Sequence, residues 1–177
     1  HNQTAFLFLA KKLAKKNLGP LYSINLHSGS LTEKDCVIIK EKILEIQRQY
    51  ARYQKKPTID LVGHSRGAEM AFFIGLVKEN WKIDRGMVNI CADTNAKNLD
   101  IGKIIRLGLS TSPTYRKKIA KEYFFAVYEV DAAFDMICNR EEKSSQFYTH
   151  KYVAPCGHLG LLQDKHVLEK VINWLSE

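Results

Sequence analysis

Residues 61–68 read Leu61-Val62-Gly63-His64-Ser65-Arg66-Gly67-Ala68, so Gly63, Ser65 and Gly67 stand in G-x-S-x-G spacing. A serine placed this way is a candidate nucleophile. The bare pattern arises by chance in roughly one chain of this length in twenty, so its setting must carry the argument. A β-rich run, Thr58 to Val62, leads into it, and a helix-compatible run from Arg66 to Lys78 leaves it. A sharp turn between strand and helix lifts the serine above the sheet edge. It also aims the first amides of the helix at the same spot, where the helix dipole favours developing negative charge. Side chains at both flanking positions are expected to clash in so tight a turn, which accounts for Gly63 and Gly67. The competing reading is a glycine-rich turn that carries a solvated serine.

A serine hydroxyl needs a base. His158 lies late in the chain, in Ala154-Pro155-Cys156-Gly157-His158-Leu159-Gly160, after a candidate strand and before the last helix. His64 adjoins the serine, but neighbouring positions on such a turn diverge, so it reads as structural. His27, His150 and His166 lack a comparable setting. The base in turn needs an orienting carboxylate. The strand Phe124 to Val130 runs into Asp131-Ala132-Ala133-Phe134-Asp135-Met136-Ile137, where two acids compete. A charge held between Phe134 and Met136 is costly unless paired, which favours Asp135 over the alternative acid, Asp131. Either one also suits a helix cap or a plain loop carboxylate.

Helices and strands alternate around these groups. Helices are expected over 4–17, 33–54 and 66–78, with a closing helix through Val167, Leu168, Val171, Ile172 and Leu175. Strands are expected at Leu21 to Leu26, 58–62, 85–91, 124–130 and 146–154. Residues 92–121 read as irregular and basic, with one amphipathic piece near 99–109 carrying Ile101, Ile104, Ile105 and Leu109. The pattern predicts one α/β domain over residues 1–177, a mostly parallel sheet with helices on both faces and about five visible strands. In such sheets functional groups gather beyond the carboxyl ends of the strands.

The whole chain has 177 residues, with 27 Lys and Arg against 19 Asp and Glu, a formal charge of +8. Its 45% hydrophobic and 26% charged residues exclude a disordered or low-complexity chain. No apolar run is long enough to span a bilayer, and no signal peptide opens the chain. The basic residues lack interleaved aromatics, so nucleic acid is not an expected partner. Cys36, Cys91, Cys138 and Cys156 form neither C-x-x-C pairs nor zinc-ligand spacing and read as buried free thiols. A reducing compartment is the default, weakly cytoplasmic, with secretion by a route without a cleaved signal left open. Neither metal nor cofactor is called for, and oligomeric state is not written in these patterns.

The order Ser65, Asp135, His158, with Gly63 and Gly67 bracketing the serine, resembles the α/β-hydrolase superfamily, in particular its compact lipases and esterases. Ala132-Ala133-Phe134-Asp135-Met136-Ile137 is similar to the family's acid loop, with Ala132 where Gly is usual. Gly157-His158-Leu159-Gly160, followed by a helix ending in Trp174-Leu175, is similar to its histidine loop and last helix. A Ser-Arg-Gly turn like Ser65-Arg66-Gly67 occurs in some chlorophyllases and bacterial phospholipase-like hydrolases. The likeness covers nearly the whole chain, although only the serine and histidine segments are specific. Family members carry a strand ending in His-Gly upstream; here His1-Asn2 opens the chain, and one or more N-terminal strands are expected to be missing.

The resemblance implies a serine hydrolase that cleaves a carboxylic ester, with Ser65, Asp135 and His158 as a catalytic triad. It also implies an oxyanion hole from the backbone of Arg66 and of Asn2, and a small-molecule ester or lipid as substrate. The 92–121 insertion stands where a lid or cap would, and Arg106, Arg116, Lys117, Lys118 and Lys121 would suit an anionic head group. The alternatives are a non-catalytic α/β-hydrolase-like domain that binds a lipid or partner, or a thioesterase or acyltransferase.

Overall fold

The computed structural model describes residues 6–26, 33–53, 57–78, 99–108, 126–137 and 150–177. Four parallel strands form one sheet, in the order β1 (Ile59–His64), β2 (Ile101–Leu107), β3 (Ala126–Ala132) and β4 (His150–Ala154). Helices α1 (Leu7–Lys15), α2 (Glu33–Ala51), α3 (Arg66–Lys78) and α4 (Lys165–Ser176) accompany it, and a short 3-10 helix, His158–Leu162, precedes α4. This is the expected α/β class with a parallel sheet. The strand expected at 85–91 lies outside the described residues.

Strand periodicity sorts the core into two layers. Successive residues of a strand face opposite sides. Ile104 and Val127 pack with Ile39 and Ile43 of α2 and Met70 and Ile74 of α3. Ile105, Leu107, Tyr128 and Val130 pack on the other side with residues of α1 and α4. Helix α1 is short, and its Leu9 and Leu13 are buried at helical spacing while Lys11, Lys12 and Lys15 stay in or near solvent. Asp164 caps α4, its side chain accepting from the amides of His166 and Val167 at 2.9 Å each.

The segment read as a greasy helix near 99–109 is instead β2, in the interior of the sheet between β1 and β3. Ile101, Ile104, Ile105 and Leu107 are all buried. A central parallel strand is covered on both faces, so apolar residues do not alternate, and their spacing mimics a helical stripe. The described part of the expected 92–121 lid, residues 99–108, is therefore sheet core; residues 92–98 and 109–121 lie outside the described residues, Arg116, Lys117, Lys118 and Lys121 among them.

Arg106 is likewise no lid cation. It is buried in β2, its guanidinium 4.4 Å from the Phe72 ring centroid and its Nη1 3.6 Å from Glu129 Oε2. The ladder sets Arg106 beside Glu129 and Glu129 beside Lys151. Lys151 Nζ lies 3.5 Å from Glu129 Oε1 and 2.7 Å from Asp131 Oδ2, which completes a row of charges across three strands.

Two smaller expectations change. Leu21 to Leu26 is not assigned to a strand: Leu21 and Tyr22 are exposed, and Ile24 and Leu26 pack only partly against the core. Cys36, read as a free thiol, is disulfide-bonded. Cys156 is free and half-buried.

Candidate active site

The turn from β1 to α3 holds Ser65 in the left-handed region, at φ 53°. Among the described non-glycine residues only Asn17 shares that conformation. It costs about 1–2 kcal/mol for an L-residue and persists where the surroundings over-determine it. Here the Ser65 amide donates to Leu107 O at 2.9 Å, while Ser65 O accepts from the amides of Ala68 and Glu69 at 3.0 and 3.3 Å. One end of the serine is thus tied to β2 and the other to the first turn of α3.

The two flanking glycines differ. A Cβ built on Gly63 would collide with the backbone of Gly67 and lie 2.5 Å from the Ala68 nitrogen. One built on Gly67 meets nothing within 4 Å. The expectation of a clash at both positions therefore holds for Gly63 alone. Gly63→Ala is expected to destabilise the fold by more than about 3 kcal/mol, since backbone must move. Gly67→Ala lies in a helix at ordinary φ and is expected to be neutral or to stabilise by about 0.5–1 kcal/mol. Urea unfolding of both variants checks the contrast.

Beyond β3 and β4 the chain forms two loops bonded to each other. Ala133 N donates to Ala154 O at 2.6 Å and Phe134 N to Cys156 O at 3.0 Å. Asp135 then meets His158, with Oδ2 2.7 Å from Nδ1 and both side chains buried. Its other oxygen, Oδ1, accepts from the Ile137 amide at 2.9 Å, which fixes the carboxylate plane. A carboxylate at Nδ1 holds the proton there and places the basic lone pair on Nε2. Asp131, the alternative acid, pairs with Lys151.

The reason that favoured Asp135 needs correction. Phe134 and Met136 do not enclose the charge; both point outward, and Met136 is 98% exposed. The carboxylate meets His158 of the histidine loop instead. Phe134, Met136 and Ile137 around Asp135, and Leu159 beside His158, form exposed apolar positions next to the pair.

Two features link the histidine loop to the serine turn. Gly108, directly after the Leu107 carbonyl that holds Ser65, takes φ 60° and donates its amide to Val130 O at 2.8 Å. A Cβ there would lie 2.9 Å from both Nδ1 and Cε1 of His158, so the imidazole rests on this glycine. His64 supplies the second. Its ring centroid is 4.7 Å from that of His158, and its Nε2–H donates to the His158 carbonyl at 3.0 Å. Burial holds the His64 pKa below its ordinary value.

Ser65 is thus flanked on one side by His64 and on the other by the end of β2, and both touch His158. Reading the sequence missed the support given by His64 and Gly108. The divergence of neighbouring positions on the turn concerns His64 and Ser65 alone; it says nothing of a loop nearly a hundred residues away reaching back to His64. The signal for Gly108 was a glycine ending an apolar run.

Arg66 opens α3, half-buried. The first N–H groups of a helix have no partner within it, so its amide has the type required of an oxyanion donor. Asn2, the other expected donor, and His27 lie outside the described residues. His150 stacks on Tyr128, with centroids 4.9 Å apart, and His166 is exposed on α4. Among the described residues no group of three or more His, Cys, Asp or Glu side chains is placed to hold a metal ion, and no helix is long and apolar enough to cross a membrane. No protein-family model matches the sequence, and no curated protein is similar enough to count as a match.

Proposed function

We propose that this chain is a serine hydrolase of the α/β-hydrolase type, acting on a carboxylic ester with an apolar acyl group. One observation carries the reading. A serine held in the left-handed region on a strand-to-helix turn and a buried His158–Asp135 pair follow strands of one parallel sheet, and His64, next to the serine, bonds to the His158 carbonyl.

In the proposed reaction Nε2 of His158 takes the Ser65 proton as the serine oxygen attacks the ester carbonyl. The carbonyl oxygen gains negative charge, which the Arg66 amide and the dipole of α3 favour. The tetrahedral adduct expels the alcohol, which leaves with the proton held on Nε2. Water, deprotonated by the same nitrogen, then attacks the acyl-serine; as this adduct collapses the acid leaves and Nε2 returns the proton to the Ser65 oxygen. Asp135 keeps the imidazole in one tautomer and stabilises its cation. The exposed apolar side chains at 134, 136, 137 and 159 support an acyl group over a charged substituent at this mouth.

Active-site labelling tests this directly. A fluorophosphonate is expected to modify the folded protein once, on Ser65, as read by intact mass and peptide mapping, and Ser65→Ala is expected to abolish the adduct. A folded protein that takes no label would favour the non-catalytic binding domain.

A further inference from the structure

Among the described polar side chains that contact His158, His64 is one to which the proposed chemistry gives no task. It is partly buried, adjoins the nucleophile in sequence and bonds to the backbone of the base. Because the acceptor is a carbonyl oxygen, Nε2 of His64 must carry a proton, whatever the state of Nδ1. The ring also packs against the His158 ring, at a tilt of 46°. It therefore meets the base through both backbone and ring.

The remaining supports of His158 come from elsewhere. Asp135 fixes the ring from the Nδ1 side, and Gly108 bounds it from below. Both belong to strands β3 and β2 or the loops after them. Among the described residues, His64, at the end of β1, links the histidine loop directly to the turn that carries Ser65 by a side-chain hydrogen bond. A histidine loop bonded only to the acid loop could shift together with Asp135, keeping the Asp135–His158 distance while changing the gap to Ser65. A brace from His64 removes that freedom, because Ser65 is one residue away from the donor.

We propose that His64 is a positioning residue that fixes His158 relative to Ser65 through its Nε2–H bond to the His158 carbonyl. The inference rests on the hydrolase reading for its catalytic meaning, but its structural content can be read without any turnover. A glutamine places an amide N–H at a reach similar to that of imidazole Nε2, whereas leucine fills the space without a donor.

The test compares wild type, His64→Gln and His64→Leu by two measurements. The first is the NMR signal of the His158 Nδ1 proton shared with Asp135. The second is the rate of fluorophosphonate labelling, together with kcat and KM for an activated ester. His64→Leu is expected to broaden or shift the Nδ1 signal and to lower kcat and the labelling rate about ten-fold, with KM unchanged; this is the worth of one net hydrogen bond. His64→Gln is expected to restore both to within about two-fold of wild type.

A folded His64→Leu protein with the wild-type signal and rate overturns the proposal. If the leucine variant does not fold, a native-like His64→Gln protein that loses ten-fold in rate overturns it equally, and one at full rate supports it. Failure of the hydrolase reading looks different: folded wild type takes no label at all. The Nδ1 signal then still decides whether His64 sets the ring.

Discussion

Replacing His158 by alanine is expected to lower turnover of an activated ester by on the order of 10⁶-fold, about as much as replacing Ser65, with little further loss in the double variant. The reason lies in the assignment of the two ring nitrogens. With Nδ1 committed to Asp135 at 2.7 Å, Nε2 is the basic atom, and the serine hydroxyl is a weak nucleophile without it. Groups that act on one proton lose their joint contribution once, so the effects of Ser65→Ala and His158→Ala should not multiply. Steady-state rates of the two single variants and the double variant check this. Thermal unfolding is run alongside, because His158→Ala also strands a buried carboxylate at a cost of about 1–3 kcal/mol. Multiplying losses would mean that the two residues act separately, which the proposed mechanism does not allow.

The two aspartates at the end of β3 give the second large effect. Asp135→Asn is expected to reduce kcat by about 10⁴-fold with the fold intact. The amide can turn a donor toward Nδ1, which drives the ring proton to Nε2 and removes the lone pair that serine needs. Asp131→Asn should change kcat by less than about three-fold. Its partner is Lys151, half-shielded at the sheet edge, and an ion pair of that kind contributes up to about 1 kcal/mol. Kinetics on the two variants at matched pH distinguish them. If Asp131→Asn gave the larger loss, the observed Asp135–His158 contact would not be the working arrangement.

Much of this arrangement was legible in the residues. Glycine, serine and glycine between a β-rich and a helix-compatible run were enough to place Ser65 at the start of α3, and that helix runs from Arg66 to Lys78 as its composition suggests. The preference for Asp135 over Asp131 agrees with the observed His158 contact but on a wrong premise: the flanking Phe134 and Met136 are exposed, and the carboxylate meets a loop that sequence spacing cannot place. The largest misreading was β2. Ile101, Ile104 and Ile105 satisfy a helical stripe as well as a strand covered on two faces, and only the neighbours β1 and β3 decide between them. The same ambiguity put Arg106 on a surface lid rather than between Phe72 and Glu129. Cys36 shows a further limit, since nothing in four scattered cysteines says which are near one another.

The charged row across β2, β3 and β4 bears on how the sheet assembles. Parallel neighbours share no hairpin, so no tight turn dictates how far one strand slides along the next. A slide by two residues keeps every side chain on its proper face and would escape detection by hydrophobic burial alone. It would, however, set Arg106 opposite Val127 and strand Glu129 against Gly108 in a dry interior. The Arg106–Glu129–Lys151 alignment thus acts as a lock and key for strand offset. Because Asp135 follows β3 and His158 follows β4, the offset that satisfies those charges also brings the ends of these two strands level.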